Sequence, residues 1–341
     1  MRWANMLADR GVEIHIATQH PSAHGYDQRI TMYALPHRNG LGYLLNRGRL
    51  QEIVDRVEPD LVNVHYATGY GTLASALERT CVVLNVWGSD VFEFPKKSFV
   101  HRWLVVRNLR RAHQLVSTSE AMAKQVRTIM RREVPIVIVP FGVDTSIFEP
   151  GVKGTEGPLV VGTVKTLAPI YGIDVLLRAF ALVPERIAGR GVVLRIVGKG
   201  PQEAQLRALC SSLKLDHRVD LAGAVAHARV PEALAGMDVF VALSRSESFG
   251  VAVIEASACG LPVVVSDVGG LPEVVDHGVT GLVVPANDPQ AAAQAIMRLL
   301  ADAELRKSMG SAGRAWMERS FRWEDCVDRM MAVYKGNMQR Q

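Results

Sequence analysis

Short apolar runs rich in valine, isoleucine and leucine alternate along the chain with longer stretches whose apolar residues recur every three or four positions. The runs at 12–18, 29–35, 61–64, 82–86, 115–117 and 136–139 predict strands, and their near-continuous apolar character predicts burial on both faces. Between them, 2–9 reads as the end of a helix stopped by Gly11. Further helices are expected at 50–57 ahead of Pro59, at 71–79, through a basic segment near residue 100, and at 121–130. The stretch 151–158 breaks this rhythm: it is rich in glycine and proline and has no apolar period, so it predicts a domain boundary. The alternation then restarts, with strands expected at 159–164, 192–197, 219–221, 239–243, 263–266 and 281–284. Helices are expected at 173–183, 201–213, 230–235, 251–258, 290–301 and 304–320, and a last one over 323–335. Strand alternating with helix implies an α/β fold of mainly parallel sheets covered on both faces, here in two domains, 1–150 and 151–321, with a C-terminal segment, 322–341. Ligands of such sheets bind beyond the carboxyl ends of the strands, so the residues that follow each run are the candidates for function.

The most informative of those ends is Ser244-Arg-Ser-Glu-Ser-Phe-Gly-Val-Ala-Val-Ile-Glu-Ala-Ser-Ala-Cys-Gly260, which reads as strand end, glycine turn and helix. Gly250 opens the helix, whose first amides have no partner within it. Together with the positive end of the helix dipole they make a site for an anion, most naturally a phosphate. Two carboxylates flank that site, Glu247 in the loop and Glu255 on the helix. The neighbours of Glu255 are apolar or small on every side: Val251, Ala252, Val253, Ile254, Ala256 and Ala258. That setting predicts burial, and a buried carboxylate needs a specific partner. Two readings are open from the residues alone. Ligand hydroxyls serve as partners, or Glu247 caps the helix start while Glu255 pairs with a core arginine.

The setting of the two glutamates, continued by Gly-Leu-Pro-Val-Val-Val-Ser, Gly-Gly-Leu-Pro-Glu-Val-Val and Gly-Val-Thr-Gly-Leu-Val-Val-Pro, resembles family 4 of the retaining glycosyltransferases, which use the GT-B fold. The match runs almost without interruption from about Ser244 to Pro285, with weaker correspondences over most of the chain. The resemblance implies two Rossmann-like, doubly wound domains facing a cleft, the first for the acceptor and the second for a nucleotide-sugar donor. It also implies that the last helix crosses back to the first domain. By the same resemblance Glu247 touches hydroxyls of the sugar, Glu255 binds the ribose hydroxyls, and Phe249, Gly250 and Val251 offer backbone amides to the phosphates and sugar. Gly198 and Lys199, in Val197-Gly-Lys-Gly-Pro201, follow a strand and open a helix, within reach of a diphosphate. That string is too short for a dinucleotide fingerprint, which weighs against a dehydrogenase. Val225, in Gly223-Ala-Val225, stands where the family holds the nucleobase through backbone groups. Such contacts name no base, and a UDP-sugar is the expected donor. The family's Arg-x4-Lys pair against the diphosphate reads here as Lys165 and Ile170. An isoleucine adds no charge, so leaving-group stabilisation is expected from Lys165, Lys199 and the helix start at Gly250.

In the first domain, His65 of His65-Tyr66-Ala67 matches the family's His-Tyr position near the transferred sugar, although a histidine at a strand end is often a packing residue. Trp87-Gly-Ser-Asp90 matches a frequent His-Gly-Ser-Asp string with tryptophan in place of histidine. Trp87 and Asp90 are therefore acceptor-side candidates, Asp90 alternatively a turn cap. The string Phe141-Gly-Val-Asp-Thr-Ser-Ile-Phe-Glu-Pro150 is similar to the family's element leading into the interdomain linker. Relatives place a strand and a glycine-containing loop ahead of the first helix; here that first N-terminal strand is expected to be missing.

Composition narrows the picture further. At 341 residues the chain accommodates two ordinary α/β domains, and 48% hydrophobic against 21% charged residues is globular. No apolar run reaches the length of a membrane span, and the opening residues show no signal-peptide core. Four scattered cysteines without a Cys-x-x-Cys pair fit a reduced compartment, as small core residues. Without an Asp-x-Asp motif, no metal and no cofactor beyond the nucleotide sugar is expected. The net charge of +5 is uneven: 96–132 holds ten Lys/Arg against Glu120 alone, 10 − 1 = +9. With Phe99, Val100, Trp103, Leu104 and Val106 among them, part of the segment reads as a basic amphipathic helix suited to an anionic membrane surface, or equally as a solvated basic face. Nucleic acid is not expected, for want of a binding motif. The chain thus reads as a retaining glycosyltransferase that moves a sugar from a nucleotide sugar to a hydroxyl of a glycan or lipid-linked acceptor in polysaccharide or lipopolysaccharide assembly. Its expected place is cytoplasmic or peripheral on the inner face of a membrane. The alternatives are a nucleotide-sugar-binding fragment without turnover and a GT-B-fold epimerase or phosphorylase.

Overall fold

The apolar runs become parallel strands in the computed structural model, which describes residues 2–20, 25–151 and 157–339. The expected linker at 151–158 falls largely on residues outside that set. Contacts divide the chain into one unit of 1–140 together with 324–341, and a second of 141–323. The first division thus comes ten residues ahead of the expected boundary. Val143 and Phe148 are apolar enough to need a core, and they are buried in that of the second unit.

The second unit is built on β7 (Leu159–Val164), β8 (Arg186–Ile187), β9 (Arg190–Val197), β10 (Val219–Gly223), β11 (Val239–Ala242), β12 (Val263–Ser266) and β13 (Gly281–Val284), the labels β1 to β6 belonging to the first unit. The sheet order is β10-β9-β7-β11-β12-β13, parallel throughout, with the two-residue β8 set antiparallel against β9. The chain steps outward from β7 to β9 and β10, then returns to lay β11 on the other side of β7, so the order reverses between β7 and β11. Successive side chains of a strand point to opposite faces, and both faces here are apolar. Val161, Leu194, Val239, Val241 and Val264 pack under the helices Ile173–Phe180 and Pro289–Ala301. Val160, Phe240, Ala242, Val263 and Val265 pack with the helix Val251–Ala258.

The first unit holds β1 (His15–Thr18), β2 (Thr31–Ala34), β3 (Val62–His65), β4 (Val82–Asn85), β5 (Gln114–Ser117) and β6 (Ile136–Ile138). All pairings are parallel, but they form two sheets, β1-β2 and β3-β4-β5-β6. In the second unit the first strand, β7, joins the two wings of the sheet; among the described residues of the first unit no strand does, and the first element is the helix Arg2–Asp9. Its core is Leu35, Ile53, Val64, Leu84, Val105, Leu109 and their neighbours. The C-terminal helix Trp323–Met338 buries Cys326, Val327, Met330, Val333, Tyr334 and Asn337, one stripe at helical spacing. Arg10 ties that helix to the first, with Nε 2.6 Å from Asp328 Oδ1 and Nη2 donating to the Glu324 carbonyl at 3.1 Å.

The expected helix at 71–79 is shorter, Gly69–Ala74, because side chains take the carbonyls at its end: Ser75 Oγ donates to Thr72 O at 2.8 Å, and Arg47 Nη2 donates to the same carbonyl at 3.1 Å. Two helices arise that the pattern does not predict. Asn39–Leu45 carries two glycines within seven residues, and Ser89–Phe92 is a single turn. All four cysteines are buried, as small core side chains. No helix among the described residues is long and apolar enough to cross a membrane.

Candidate functional site

Lys165 follows β7 and Glu247 follows β11, the two strands between which the order of the second unit's sheet reverses. A parallel α/β sheet leaves a crevice at that point, because the loops on its two sides turn away from each other. Their side chains meet, Lys165 Nζ lying 2.6 Å from Glu247 Oε2, and each is only 12% exposed. Ser244 Oγ donates to the same carboxylate oxygen at 3.3 Å, and the ammonium stands 4.6 Å from the centre of the Tyr171 ring. Glu247 therefore does not cap the helix start. Its loop is braced from behind by the glycine pair of the Gly-Gly-Leu-Pro string: Gly270 donates to the Glu247 carbonyl at 3.1 Å, and a side chain at Gly269, whose φ is +52°, would collide with that carbonyl.

The helix Val251–Ala258 begins at Gly250 with φ +109° and no side-chain cap. A Cβ at Gly250 would come within 2.8 Å of Leu271 Cδ2, so both the dihedral and the space favour glycine. The first amides, at Val251 and Ala252, donate to no backbone carbonyl among the described residues, and Val251 is 40% exposed. Phe249 offers only its backbone, since its ring is buried between those of Phe141 and Phe321. Glu255 is 8% exposed, as its apolar neighbours predict, and its Oε1 lies 2.9 Å from His227 Nε2. One partner is thus a histidine whose side chain is 64% exposed, where one of the two readings expected a core arginine.

The loops after β7 and β9 run side by side, Leu167 donating to the Lys199 carbonyl at 3.0 Å and Lys165 to that of Val197 at 3.0 Å. Gly198, with φ +153°, lies where any side chain would strike the Lys165 carbonyl. Lys199 is exposed and its Cε borders Gly223, at the strand end that leads to Val225. Ile170 is half-buried, its carbonyl held by the Arg245 amide at 2.7 Å. The Arg245 guanidinium is engaged beside it, 2.7 Å from Asp174 Oδ2 and 2.6 Å from the Pro169 carbonyl. That pairing holds the Asp174 carboxyl below the usual carboxylate range.

In the first unit the ends of β3 and β4 bring His65, Tyr66, Trp87 and Asp90 together. The His65 ring lies edge-on to Trp87 at 5.2 Å, and Tyr66, 40% exposed and with φ +73°, stacks on the Trp87 ring at 5.7 Å. Burial pushes the His65 imidazole down to about 4, and its Nδ1 is enclosed without a hydrogen-bond partner. Asp90 is 1% exposed and points inward: Oδ1 accepts from the amides of Trp87 at 3.0 Å and Gly88 at 2.9 Å, and Oδ2 from that of Ala67 at 2.8 Å. It clamps the two turns that carry His65, Tyr66 and Trp87. Burial raises its pKa against the pull of those amides.

His227, Tyr171, Ser244 and Asp174 belong to this set of contacts and were not singled out from the sequence. His227 stands two residues beyond the Gly-Ala-Val string, and Tyr171 is adjacent to Ile170; position beside a recognised string was the only signal for either.

The family model described as "Glycosyl transferases group 1" matches residues 143–316, just over half of the chain. The chain belongs to this family. A second model, "Glycosyl transferase 4-like", matches 1–119 of this glycosyl transferase. Along nearly its whole length the transferase is 25% identical to N-acetyl-alpha-D-glucosaminyl L-malate synthase of Bacillus anthracis, covering 96% of this chain and 90% of that one. Over 58% of the chain it is 33% identical to a GDP-mannose-dependent alpha-(1-6)-phosphatidylinositol monomannoside mannosyltransferase of Mycobacterium tuberculosis, covering 55% of that protein. Among solved structures, sucrose-phosphate synthase from Thermosynechococcus elongatus superposes with a TM-score of 0.87 at 23% identity, covering 100% of this chain and 92% of that one. Anabaena HepE in complex with UDP superposes at 0.79 and 21% identity, covering 90% and 87%. At such identities the likeness is one of fold: this glycosyl transferase has the α/β fold of the GT-B enzymes.

Proposed function

We propose that this glycosyltransferase moves a sugar from a nucleoside diphosphate sugar, a UDP-sugar in the first instance, to an acceptor hydroxyl with retention of anomeric configuration. The observation that carries the reading is the pair Glu247 and Lys165 at the point where the sheet order reverses, next to the uncapped helix start at Gly250. In this reading the diphosphate rests on the amides of Val251 and Ala252 and on Lys165 and Lys199. Glu247 accepts hydrogen bonds from the sugar, and Glu255 exchanges His227 for the ribose hydroxyls. The bond between the anomeric carbon and the diphosphate oxygen breaks, the acceptor oxygen bonds to the same face, and the acceptor proton passes to the departing phosphate. Charge on the leaving group is met by fixed dipoles and two lysines, with no divalent cation required. The Anabaena neighbour's complex with UDP and the GDP-mannose dependence of the mycobacterial relative support a nucleotide sugar as donor.

The test is a thermal-shift screen of nucleotide sugars followed by assay of donor hydrolysis and transfer, with and without EDTA. Glu247→Gln should bind UDP and lose turnover. Donor binding without turnover in the wild type would instead leave a binding protein, and product formed without any acceptor would point to an epimerase.

The exposed residues Phe99, Val100 and Trp103 favour a second element of the reading, that the acceptor is lipid-linked and met at an anionic membrane. They stand on the first turns of the helix Phe99–Arg111, next to Lys96 and Lys97. Flotation with anionic liposomes should be lost in Phe99→Ser/Trp103→Ser; equal partitioning of variant and wild type would end this element.

A further inference from the structure

Three arginines from two distant parts of the sequence converge on Ser75, at the carboxyl end of the helix Gly69–Ala74. Arg47 Nη2 donates to Ser75 Oγ at 3.3 Å as well as to the Thr72 carbonyl, Arg107 Nη1 donates to the same hydroxyl at 3.0 Å, and Arg111 Nη1 to the Ser75 carbonyl at 2.5 Å. The helix end carries partial negative charge and the Trp103 ring lies 5.9 Å from the Arg107 guanidinium, which together answer only part of three positive charges. Arg47, Arg107 and Arg111 form no ion pair among the described residues. Burial holds Arg47 below the ordinary guanidinium range, and Arg107 and Arg111 push it the same way, with no carboxylate opposing them. Its Nε is enclosed and has no hydrogen-bond partner. A structural cap for one helix end needs one cation. Three guanidiniums packed together without a carboxylate are costly unless an anion joins them.

We propose that Arg47, Arg107 and Arg111 form a receptor for one phosphoryl group, separate from the donor site and independent of the reading given for it. Each guanidinium keeps further N–H donors in a planar fork, the geometry that grips phosphate oxygens two at a time. The helices on either side present apolar side chains to solvent, Leu41, Leu44 and Leu45 on one and Phe99, Val100 and Trp103 on the other. The phosphoryl group therefore comes either from a lipid headgroup or from a soluble phosphate ester, and the experiment separates the two.

The full chain is compared with Arg111→Gln, chosen because Arg111 is exposed and its loss leaves the core intact. With UDP present at saturation to occupy the donor site, inorganic phosphate is added at constant ionic strength and Tm is read. A phosphate-dependent rise in wild type that is absent from the variant supports the receptor with a soluble source. If phosphate has no effect, vesicles of phosphatidylcholine with phosphatidic acid are sedimented with each protein. Binding weakened about tenfold in the variant supports the receptor with a lipid source. Arg111→Lys, which keeps the charge and loses the fork, should recover only part of either effect. No response in both arms, or equal responses in wild type and Arg111→Gln, overturns the proposal. The Tm rise given by UDP alone reports on the donor reading, so the two stand or fall separately.

Discussion

Lys165 and Glu247 neutralise each other in the structure, so a donor must part them or slip between them. On the proposed reading, Lys165→Ala would leave a nearly buried carboxylate without its cation next to an incoming diphosphate. Transfer should fall by roughly two to three orders of magnitude, the usual loss when one group facing developing charge is removed. Lys165→Arg should recover part of it, and kcat measured at saturating donor distinguishes this from weakened binding alone. His65 makes a different kind of prediction. Its imidazole has an ordinary value of 6.5 and about 4 in the folded chain, so the folded form resists a proton that the unfolded form accepts. Stability is then unaffected above pH 6.5 and is lost as pH falls from 6.5 to 4, by about 3 kcal/mol at full effect. Urea unfolding of the first unit at pH 7.5 and pH 5 should show this dependence in wild type and less of it in His65→Asn. At this scale the sequence was legible where the cause is local. The burial of Glu255 follows from six apolar or small neighbours on its own helix. Its partner His227 does not, because 28 positions separate them and only the fold brings them together.

Among elements, the strands were the most legible, for a physical reason. Positions such as Val239, Phe240, Val241 and Ala242 are buried on both faces, so they are apolar without interruption and cannot be mistaken for solvated chain. Helix ends were less so. The Thr72 carbonyl at the end of Gly69–Ala74 is taken by Arg47, which no window around residue 74 contains, and Asn39–Leu45 forms despite two glycines. The helix start at Gly250 carries the prediction proper to this scale. Gly250→Ala places a side chain at φ +109° and against Leu271, which should cost about 1–3 kcal/mol in chemical unfolding of the second unit. By displacing the first turn it should also weaken UDP binding. An alanine variant that bound UDP unchanged would remove the helix start from the proposed donor site.

Across the whole molecule, the two-domain α/β plan was legible from the restarted alternation and the return of the last helix to the first domain was implied by the family resemblance, while the division at 140 was not legible. Val143 and Phe148 lie ahead of the glycine-rich stretch but are buried in the second unit's core. A boundary drawn from composition follows the linker, whereas the physical one follows burial. Truncation after residue 323 gives the matching test. It removes Cys326, Val327, Met330 and Val333 from the first unit and nothing from the second. Calorimetry should show a transition lowered or lost, with the other preserved and still responsive to UDP.

The discontinuous make-up of the first unit also bears on biogenesis. Its share of the helix Trp323–Met338, from Glu324 on, is synthesised only after every residue of 141–323. Domains generally mature from the amino end onward as they emerge. Here the later-encoded unit is contiguous and can finish first, while the earlier one waits, with the surface that will receive Val327 and Met330 uncovered, until that helix emerges. Nascent chains arrested shortly before residue 324 should therefore expose apolar surface in the amino-terminal half and engage chaperones there.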